Sequence, residues 1–223
     1  TFKNKKNKPA LIMKTSGASF SVLDREDILK KIDNIKKTVK GDLPNIYLLH
    51  GDLTDDEVND LYNHPKVKAH INITHGEGFG RPLLEASISG KPVIASSWSG
   101  HLDFLNSKQS VLVSGQMVDV PKSSFPENMR IEGAQWFTAD YQQVSSYMKD
   151  AFKNYRKYSN NSMKLGKINQ SLFSLKKMTA ELGKILDNYV PDFPKEVELK
   201  LPKLKKVGEQ KKPKLNLPKL KRV

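Results

Sequence analysis

The stretch Thr74-His-Gly-Glu-Gly-Phe-Gly-Arg-Pro-Leu-Leu-Glu-Ala86 decides how this 223-residue sequence folds. It follows an apolar run that is typical of a buried strand, and it leads into a helical pattern. Its three glycines allow the backbone to approach a ligand closely, and Pro82 suits the first turn of a helix. Because unpaired amides at a helix start bind anions, the stretch predicts a phosphate-binding loop at the end of a strand.

The rest of the chain predicts the sheet around this loop. Helical patterns separate five short apolar runs, and strands that alternate with helices predict one parallel sheet with helices on both faces. After a loop-like stretch at 121–133, two longer amphipathic helices are expected to pack on the body, one from Asp140 to Tyr155 and one from Leu175 to Leu186. The five predicted buried strands are Ala10–Met13, Ile46–Leu49, Ala69–Thr74, Pro92–Ala95 and Val111–Val113.

The net charge of +14 is concentrated at the two ends of the chain. Residues 191–223 hold 11 basic and 4 acidic side chains, and residues 1–10 hold four lysines. The motif Leu-Pro-Lys-Leu occurs at 201 and again at 217, and so much proline and lysine opposes both regular helix and core formation. We therefore predict a domain at 1–190 and a disordered basic tail at 191–223. The tail either docks on an anionic surface or only keeps the protein in solution.

Composition excludes several classes of protein. The absence of cysteine excludes disulfide scaffolds, thiolate metal sites and cysteine nucleophiles, and it fits a cytoplasmic location. No apolar run approaches the roughly 18 to 20 residues that span a bilayer. The five histidines show no paired spacing, so we expect no metal site.

Two carboxylates, Glu77 and Glu85, make the glycine loop more specific. Like charges repel at close range, so both carboxylates are expected to flank a bound phosphate rather than contact it. A sugar nucleotide has that layout, with hydroxyls on either side of a pyrophosphate, and a carboxylate accepts strong hydrogen bonds from vicinal hydroxyls. The structural alternative is a helix-start partner at Glu77 and a surface carboxylate at Glu85.

These residues resemble a known signature. Gly76–Gly80, Pro82, Glu85-Ala86 and Gly90–Ala95 look like the E-x7-E motif of the group 1 (family 4) glycosyltransferases, which have the GT-B fold. The resemblance covers about residues 2–190. It implies the C-terminal, Rossmann-like donor domain of an enzyme that transfers a glycosyl group from a nucleotide-diphosphate sugar to a hydroxyl, with retention and without a metal or other cofactor.

The resemblance also implies roles for residues. Glu77 would lie beside the donor sugar as the catalytic residue, and Glu85 would bind the ribose. The amides of Gly78, Phe79 and Gly80 would hold the sugar and the pyrophosphate. Further donor-binding candidates, each with an ordinary structural alternative, are Lys14, His75 and Gly100. Arg81 is expected to be a structural neighbour, and Trp136 a core anchor.

The resemblance covers only the donor half of such an enzyme. It implies a missing N-terminal domain that binds the acceptor, and an opening strand before Thr1, so we expect this chain alone to be inactive. Two other functions stay open. One is an epimerase or an inverting transferase on the same fold. The other is a noncatalytic scaffold whose basic tail binds nucleic acid or anionic membrane, which would give salt-sensitive binding. We expect the full-length transferase in the cytoplasm, where a basic surface would also suit peripheral docking on an anionic membrane.

Overall fold

The computed structural model describes residues 1–17, 19–125 and 131–191. The chain divides after Glu181 into two units, and the described part of the second unit is residues 182–191. Apart from Pro191, the predicted tail lies outside the described residues. In the second unit, the described part continues helix α6 (Leu175–Tyr189), where the Val190 amide donates to the Leu186 carbonyl at 2.9 Å. The first unit carries the sheets and the motif.

All five predicted strands are present, and they form two parallel sheets rather than one. Strands β1 (Leu11–Lys14) and β2 (Ile46–Leu49) pair in parallel, with Leu11 opposite Ile46. A second parallel sheet has the order β3-β4-β5, and its strands are β3 (His70–Asn72), β4 (Val93–Ser96) and β5 (Val111–Val113). The predicted class, an α/β fold of parallel strands and helices, is confirmed.

Three helices connect these strands, and each begins at a recognisable signal. Helix α1 (Val22–Thr38) begins where the Ser21 hydroxyl accepts from the Asp24 amide. Helix α2 (Asp55–Asn63) begins at a complete capping box formed by Thr54 and Glu57. Helix α3 (Arg81–Ile88) has no side-chain cap and begins instead after a left-handed glycine, with proline as its second residue.

The core lies on both faces of the β3-β4-β5 sheet, because the side chains of β4 alternate between two clusters and all four residues of that strand are buried. The first cluster contains Leu83, Leu84, Ala86, Val93, Ala95, Phe104, Leu105 and Leu165. The second contains Ile94, Val111, Val113, Phe137, Ala139, Val144 and Ala151. Helices on both faces are therefore confirmed for this sheet.

The first sheet does not match the prediction of buried strands. Three of the four residues of β1 are exposed, and Leu11 and Ile12 keep 42% and 43% of their surface accessible. An apolar run predicts a buried strand only where other elements cover it. In the described chain, β1 has a hydrogen-bonded neighbour, β2, on one side alone.

The region after β5 also differs from the prediction. Strands β6 (Gly115–Asp119) and β7 (Gln135–Ala139) form an antiparallel hairpin, which the sequence patterns did not indicate. Three helices follow it rather than two, namely α4 (Tyr141–Lys153), α5 (Tyr155–Leu172) and α6. The Asp140 cap is confirmed, and its carboxylate accepts from the amides of Gln142 and Gln143.

The apolar pattern of the sequence does not predict helix α5, because the side chains that this helix buries are mostly small or polar. Its buried residues are Ser162, Leu165, Gly166 and Asn169. The Asn169 amide donates to the Ser87 hydroxyl at 2.8 Å and to the Phe104 carbonyl at 3.2 Å. A helix that packs in this way shows no apolar stripe to a periodicity argument.

The prediction that the last helix packs on the body is wrong for the part of α6 in the first unit. Leu175 and Met178 are 83% and 54% exposed. Within the described residues, no helix combines the length and the apolar character needed to cross a bilayer.

Candidate functional site

The glycine loop lies at the carboxyl end of the β3-β4-β5 sheet, where open α/β sheets bind ligands. It runs from Thr74 to Gly80 between β3 and α3. The segment that follows β4, residues 97–101, lies against it. The Gly100 amide donates to the Glu77 carbonyl at 3.0 Å. The site is therefore built from two loops that follow neighbouring parallel strands.

The two loops approach so closely that Gly100 must be glycine. A Cβ atom at this position would lie 2.0 Å from the carbonyl oxygen of Gly78. Gly80 is constrained in a different way, because its φ of 86° lies in the left-handed region. A Cβ atom there would also come within 3.0 Å of Glu77 and His101 side-chain atoms. Steric crowding thus explains glycine at both positions, and the predicted contacts of Gly80 and Gly100 with a donor stay predictions.

Four consecutive main-chain amides of the loop have no hydrogen-bond partner in the described part of the chain. Among the described residues, the N–H groups of Gly78, Phe79, Gly80 and Arg81 donate no hydrogen bond. The next two available amides of α3, those of Leu83 and Leu84, donate to the Gly80 carbonyl at 2.9 and 3.0 Å. An uncapped helix start preceded by unpaired amides is an anion site.

The loop is held in place by an aromatic cluster. The Phe79 ring lies 5.4 Å from the Phe104 ring and 6.1 Å from the Phe173 ring, between centroids. Phe104 is buried in the core, so the cluster ties the middle of the loop to the body. The loop therefore has a fixed shape before any ligand arrives, which favours binding because little entropy is lost.

The two motif carboxylates have different surroundings. Glu77 is half-buried, and its carboxylate accepts no hydrogen bond from the residues that the structure describes. Glu85 is also half-buried, but its Oε1 accepts from Nε of Arg81 at 2.6 Å. Nη2 of Arg81 lies 3.5 Å from the Asp55 carboxylate at the start of α2. The prediction that Arg81 is a structural neighbour agrees with these contacts.

A groove of about 200 Å³ runs between α2 and α3 beside Glu85. Tyr62 lines it from α2, and burial, followed by the charge of Glu85, raises the pKa of Tyr62 to about 12. The Tyr62 hydroxyl is therefore neutral, and able to donate, across the physiological range. The complete lining is Asp55, Val58, Asn59, Tyr62, Arg81, Glu85, Ile88 and Ser89.

His75 is engaged within the protein. Its Nδ1 lies 2.7 Å from the Phe137 carbonyl, so that nitrogen carries the hydrogen. Its ring stacks on Trp136, with centroids 3.9 Å apart and planes 3° apart. These contacts tie the start of the loop to β7. A role of His75 in donor binding stays a prediction.

His101 lies beneath the loop and is completely buried. Its Nε2 lies 2.7 Å from the Ser96 carbonyl and therefore donates to it. Its Nδ1 has no hydrogen-bond partner among the described residues, and the same is true of the buried hydroxyls of Thr74 and Ser96. Three buried polar atoms at the strand ends beneath the loop are thus without a described hydrogen-bond partner.

Lys14 is not brought to the motif by any described contact. Its Nζ donates to the Gly51 carbonyl at 2.7 Å and lies 5.5 Å from the centre of the Phe20 ring. Next to it, Nε2 of His50 lies 2.9 Å from the Asp24 carboxylate. Lys14 therefore organises the carboxyl ends of β1 and β2, and its predicted contact with a donor phosphate stays a prediction.

No group of three or more His, Asp or Glu side chains is placed to hold a metal ion in the described parts of the chain. What the site offers is a row of amide donors, one unpaired carboxylate and one carboxylate shared with an arginine. Such a donor set suits an anion that carries hydroxyl groups on both sides.

Comparison with known proteins points in the same direction. The sequence model of the family "Glycosyl transferases group 1" matches residues 29–123, which is less than half of the chain but includes the whole loop and α3. No curated protein matches the sequence.

Solved structures share the fold. The Anabaena protein Alr3699/HepE in complex with UDP-glucose superposes with a TM-score of 0.56 at 13% identity, over 80% of this chain and 40% of that one. The same protein with UDP and glucose gives a TM-score of 0.55 at 12% identity, over the same shares of the two chains. A glycosyltransferase from Rickettsia africae ESF-5 gives 0.50 at 19% identity, over 82% and 41%.

This chain thus spans about two fifths of the length of the structures it matches. At these identities the likeness concerns the fold. The Rossmann-like α/β architecture predicted from the sequence is the architecture that these solved structures have in the part covered.

Proposed function

We propose that this chain supplies the donor-binding half of a glycosyltransferase, which moves a sugar from a nucleotide-diphosphate sugar to a hydroxyl of an acceptor. The observation that carries the proposal is the row of four amides from Gly78 to Arg81 beside the carboxylate of Glu77, none of which has a hydrogen-bond partner among the described residues. The family match over residues 29–123 supports it. UDP-glucose in the Anabaena structure of the same fold makes a uridine donor the first to test.

In this proposal the amides stabilise the negative charge of the departing diphosphate by donating hydrogen bonds to it. They are already oriented, because the loop is held by Phe79 and by Gly100, so little reorganisation is needed as charge develops. The positive end of α3 acts on the same oxygens. We propose that this anion site works without a metal ion.

Glu77 and Glu85 would act on either side of the diphosphate. The Glu77 carboxylate, which accepts no hydrogen bond from the described residues, would accept from hydroxyls of the donor sugar and act near the reacting carbon. We propose retention at that carbon. Glu85 would bind the ribose. Arg81 contacts only Oε1 of Glu85, which leaves Oε2 for the ribose hydroxyls.

We also propose that the parent enzyme contains an acceptor-binding domain and a strand that join this half. Strand β1 pairs with β2 alone, and β3 pairs with β4 alone, so each parallel sheet has an open edge within the described chain. A further parallel strand between these edges would merge the two sheets. The partial coverage of the matched structures supports this proposal.

The test is calorimetric titration of the chain with UDP, GDP and ADP. We expect one diphosphate to bind and Glu85→Ala to lower its affinity at least tenfold. Glu26→Ala is the matched control, because it removes an exposed carboxylate on α1. This variant should bind the diphosphate as the parent does. Binding that is equal in Glu85→Ala would contradict the ribose role.

If no diphosphate binds, the same titration is repeated on a chain extended by the upstream coding sequence. Recovery of binding there would support the additional strand. Continued failure would contradict the donor-domain proposal. Raising the salt concentration separates donor binding from attraction of polyanions by the basic tail, since only the latter should collapse.

A further inference from the structure

We propose that Ser99 is a positioning residue for Glu77, and that its strained backbone is retained for this purpose. The claim about the loop rests on contacts within the protein alone. Its consequence for sugar binding rests on the proposed function. Ser99 follows β4 and lies next to Gly100, one of the donor-binding candidates predicted from the sequence.

The Ser99 hydroxyl makes two hydrogen bonds to one residue. Its oxygen accepts from the Glu77 amide at 3.0 Å, and its hydrogen is donated to the Glu77 carbonyl at 2.7 Å. The neighbouring Gly100 amide donates to the same carbonyl at 3.0 Å. Both main-chain polar groups of Glu77 are therefore bound by residues 99 and 100. They are unavailable to a ligand, and their task is to hold the loop.

The backbone of Ser99 has a conformation that side chains rarely adopt. Its φ is 90° and its ψ is −171°, in a region occupied almost entirely by glycine. The only other described non-glycine residue with positive φ is Asn4, at 59°. A serine at such a position persists only when its surroundings hold it there. The hydroxyl contacts to Glu77 are what glycine would lack.

The position of the Glu77 carboxylate depends on these hydrogen bonds from Ser99 and Gly100 to the Glu77 backbone. The side chain itself accepts no hydrogen bond from the described residues, so its direction depends on the backbone from which it extends. Fixing both the amide and the carbonyl removes freedom of that backbone. Preorganisation of this kind matters for a group that acts at one particular atom of a ligand.

Three variants separate the effect of the Ser99 hydrogen bonds from the effect of the strained Ser99 backbone. Ser99→Ala removes the hydroxyl and keeps a side chain in the strained conformation. Ser99→Gly removes the hydroxyl and relieves the strain. Ser97→Ala is the matched control, because the Ser97 hydroxyl makes no described hydrogen bond and lies two residues away on the same segment.

The first measurement is hydrogen exchange of the Glu77 amide, followed by NMR without any ligand. Because that amide loses its acceptor, we expect exchange at least about tenfold faster in Ser99→Ala and in Ser99→Gly, and unchanged in Ser97→Ala. We expect Ser99→Gly to melt about 2–4 °C or more above Ser99→Ala, because glycine relieves the strain. Unchanged Glu77 exchange in both hydroxyl-free variants overturns the proposal.

The second measurement compares UDP-glucose with UDP by calorimetry. We expect both Ser99 variants to lose about tenfold in affinity for UDP-glucose relative to UDP, while UDP itself binds within about twofold of the parent. A structural defect alone would weaken both ligands equally. Faster Glu77 exchange with an unchanged preference for UDP-glucose would overturn the functional part. If neither ligand binds the parent, the proposed function fails on this chain, and hydrogen exchange still decides the positioning role.

Discussion

The β3-β4-β5 sheet and the β1-β2 sheet differ in how completely the described chain covers them. Strand β4 is buried at every residue, with α3 and α5 on one face and α4 on the other. Strand β1 is exposed at three of its four residues. The glycine loop belongs to the covered sheet. The proposed anion site therefore lies on the sheet that is covered on both faces, whereas the other sheet is covered less completely.

The largest expected effect tests this contrast directly. Leu83 in α3 is fully buried, and Leu83→Ala should lower the free energy of unfolding by about 2–5 kcal/mol. Leu11 in β1 is 42% exposed, and Leu11→Ala should lower it by less than about 1 kcal/mol. Urea unfolding followed by circular dichroism measures both. Equal losses would show that the two sheets are equally covered and would remove the contrast.

His70 tests the edge of the covered sheet. Burial lowers the pKa of this β3 residue from 6.5 to about 4. Between these values the unfolded chain binds a proton that the folded chain does not, so folding stability is lost as the pH falls through this window. The loss from this residue approaches about 3 kcal/mol near pH 4.

The measurement is the urea midpoint between pH 7 and pH 4 for the parent and for His70→Phe. Acidic side chains contribute equally to both proteins, so the difference between the two curves isolates His70. We expect the parent to lose more stability than the variant over this range. Parallel curves would mean that the β3 edge is open to water, as β1 is.

A smaller effect is expected within the site itself. Gly100→Ala places a Cβ atom against the Gly78 carbonyl, and the atoms it would meet are all backbone of Glu77 and Gly78, which leaves little room to adjust. We expect a loss of about 1–3 kcal/mol in unfolding free energy. Gly78→Ala is the matched control, since nothing lies within 4 Å of its added Cβ atom and its φ is not positive. Equal stability of the two variants would show that the loops are loosely held.

The same contrast explains how far the sequence predicts the molecule. The five strands of the parallel sheets are short apolar runs bounded by polar or glycine-containing segments. The sequence therefore predicts all five. The unpaired amides and both motif carboxylates come from one continuous stretch, which is why the candidate site could also be located. Exposure of β1 could not be predicted, because an apolar run does not say whether a neighbour covers it.

Features that depend on contacts between distant segments left no local pattern. Ser99 bonds to Glu77 across 22 positions, and its strained φ is a property of the folded loop. Helix α5 is held by Asn169, which reaches Ser87 across 82 positions. The hairpin of β6 and β7 pairs Gly115 with Ala139, across 24 positions. Because polar side chains are also common on surfaces, the sequence does not show which of them are buried and hydrogen-bonded.

The smallest expected effect concerns the joint between the two regions. Arg81 in α3 contacts Glu85 on its own helix and Asp55 on α2, the helix that follows β2. Arg81 is exposed, so Arg81→Ala should leave the urea midpoint unchanged. If Arg81 acts only by orienting Glu85, the same change should weaken UDP binding by about two- to fivefold, less than Glu85→Ala does.

A double-mutant cycle separates orientation from direct contact. Arg81→Ala introduced into Glu85→Ala should have no further effect on UDP affinity, because the group that Arg81 orients is already gone. Asp55→Ala should have less effect than Arg81→Ala, since its contact at 3.5 Å is long and exposed. Additive losses in the double variant would mean that Arg81 itself contacts the ligand, and that α2 and α3 form one continuous binding surface across the two sheets.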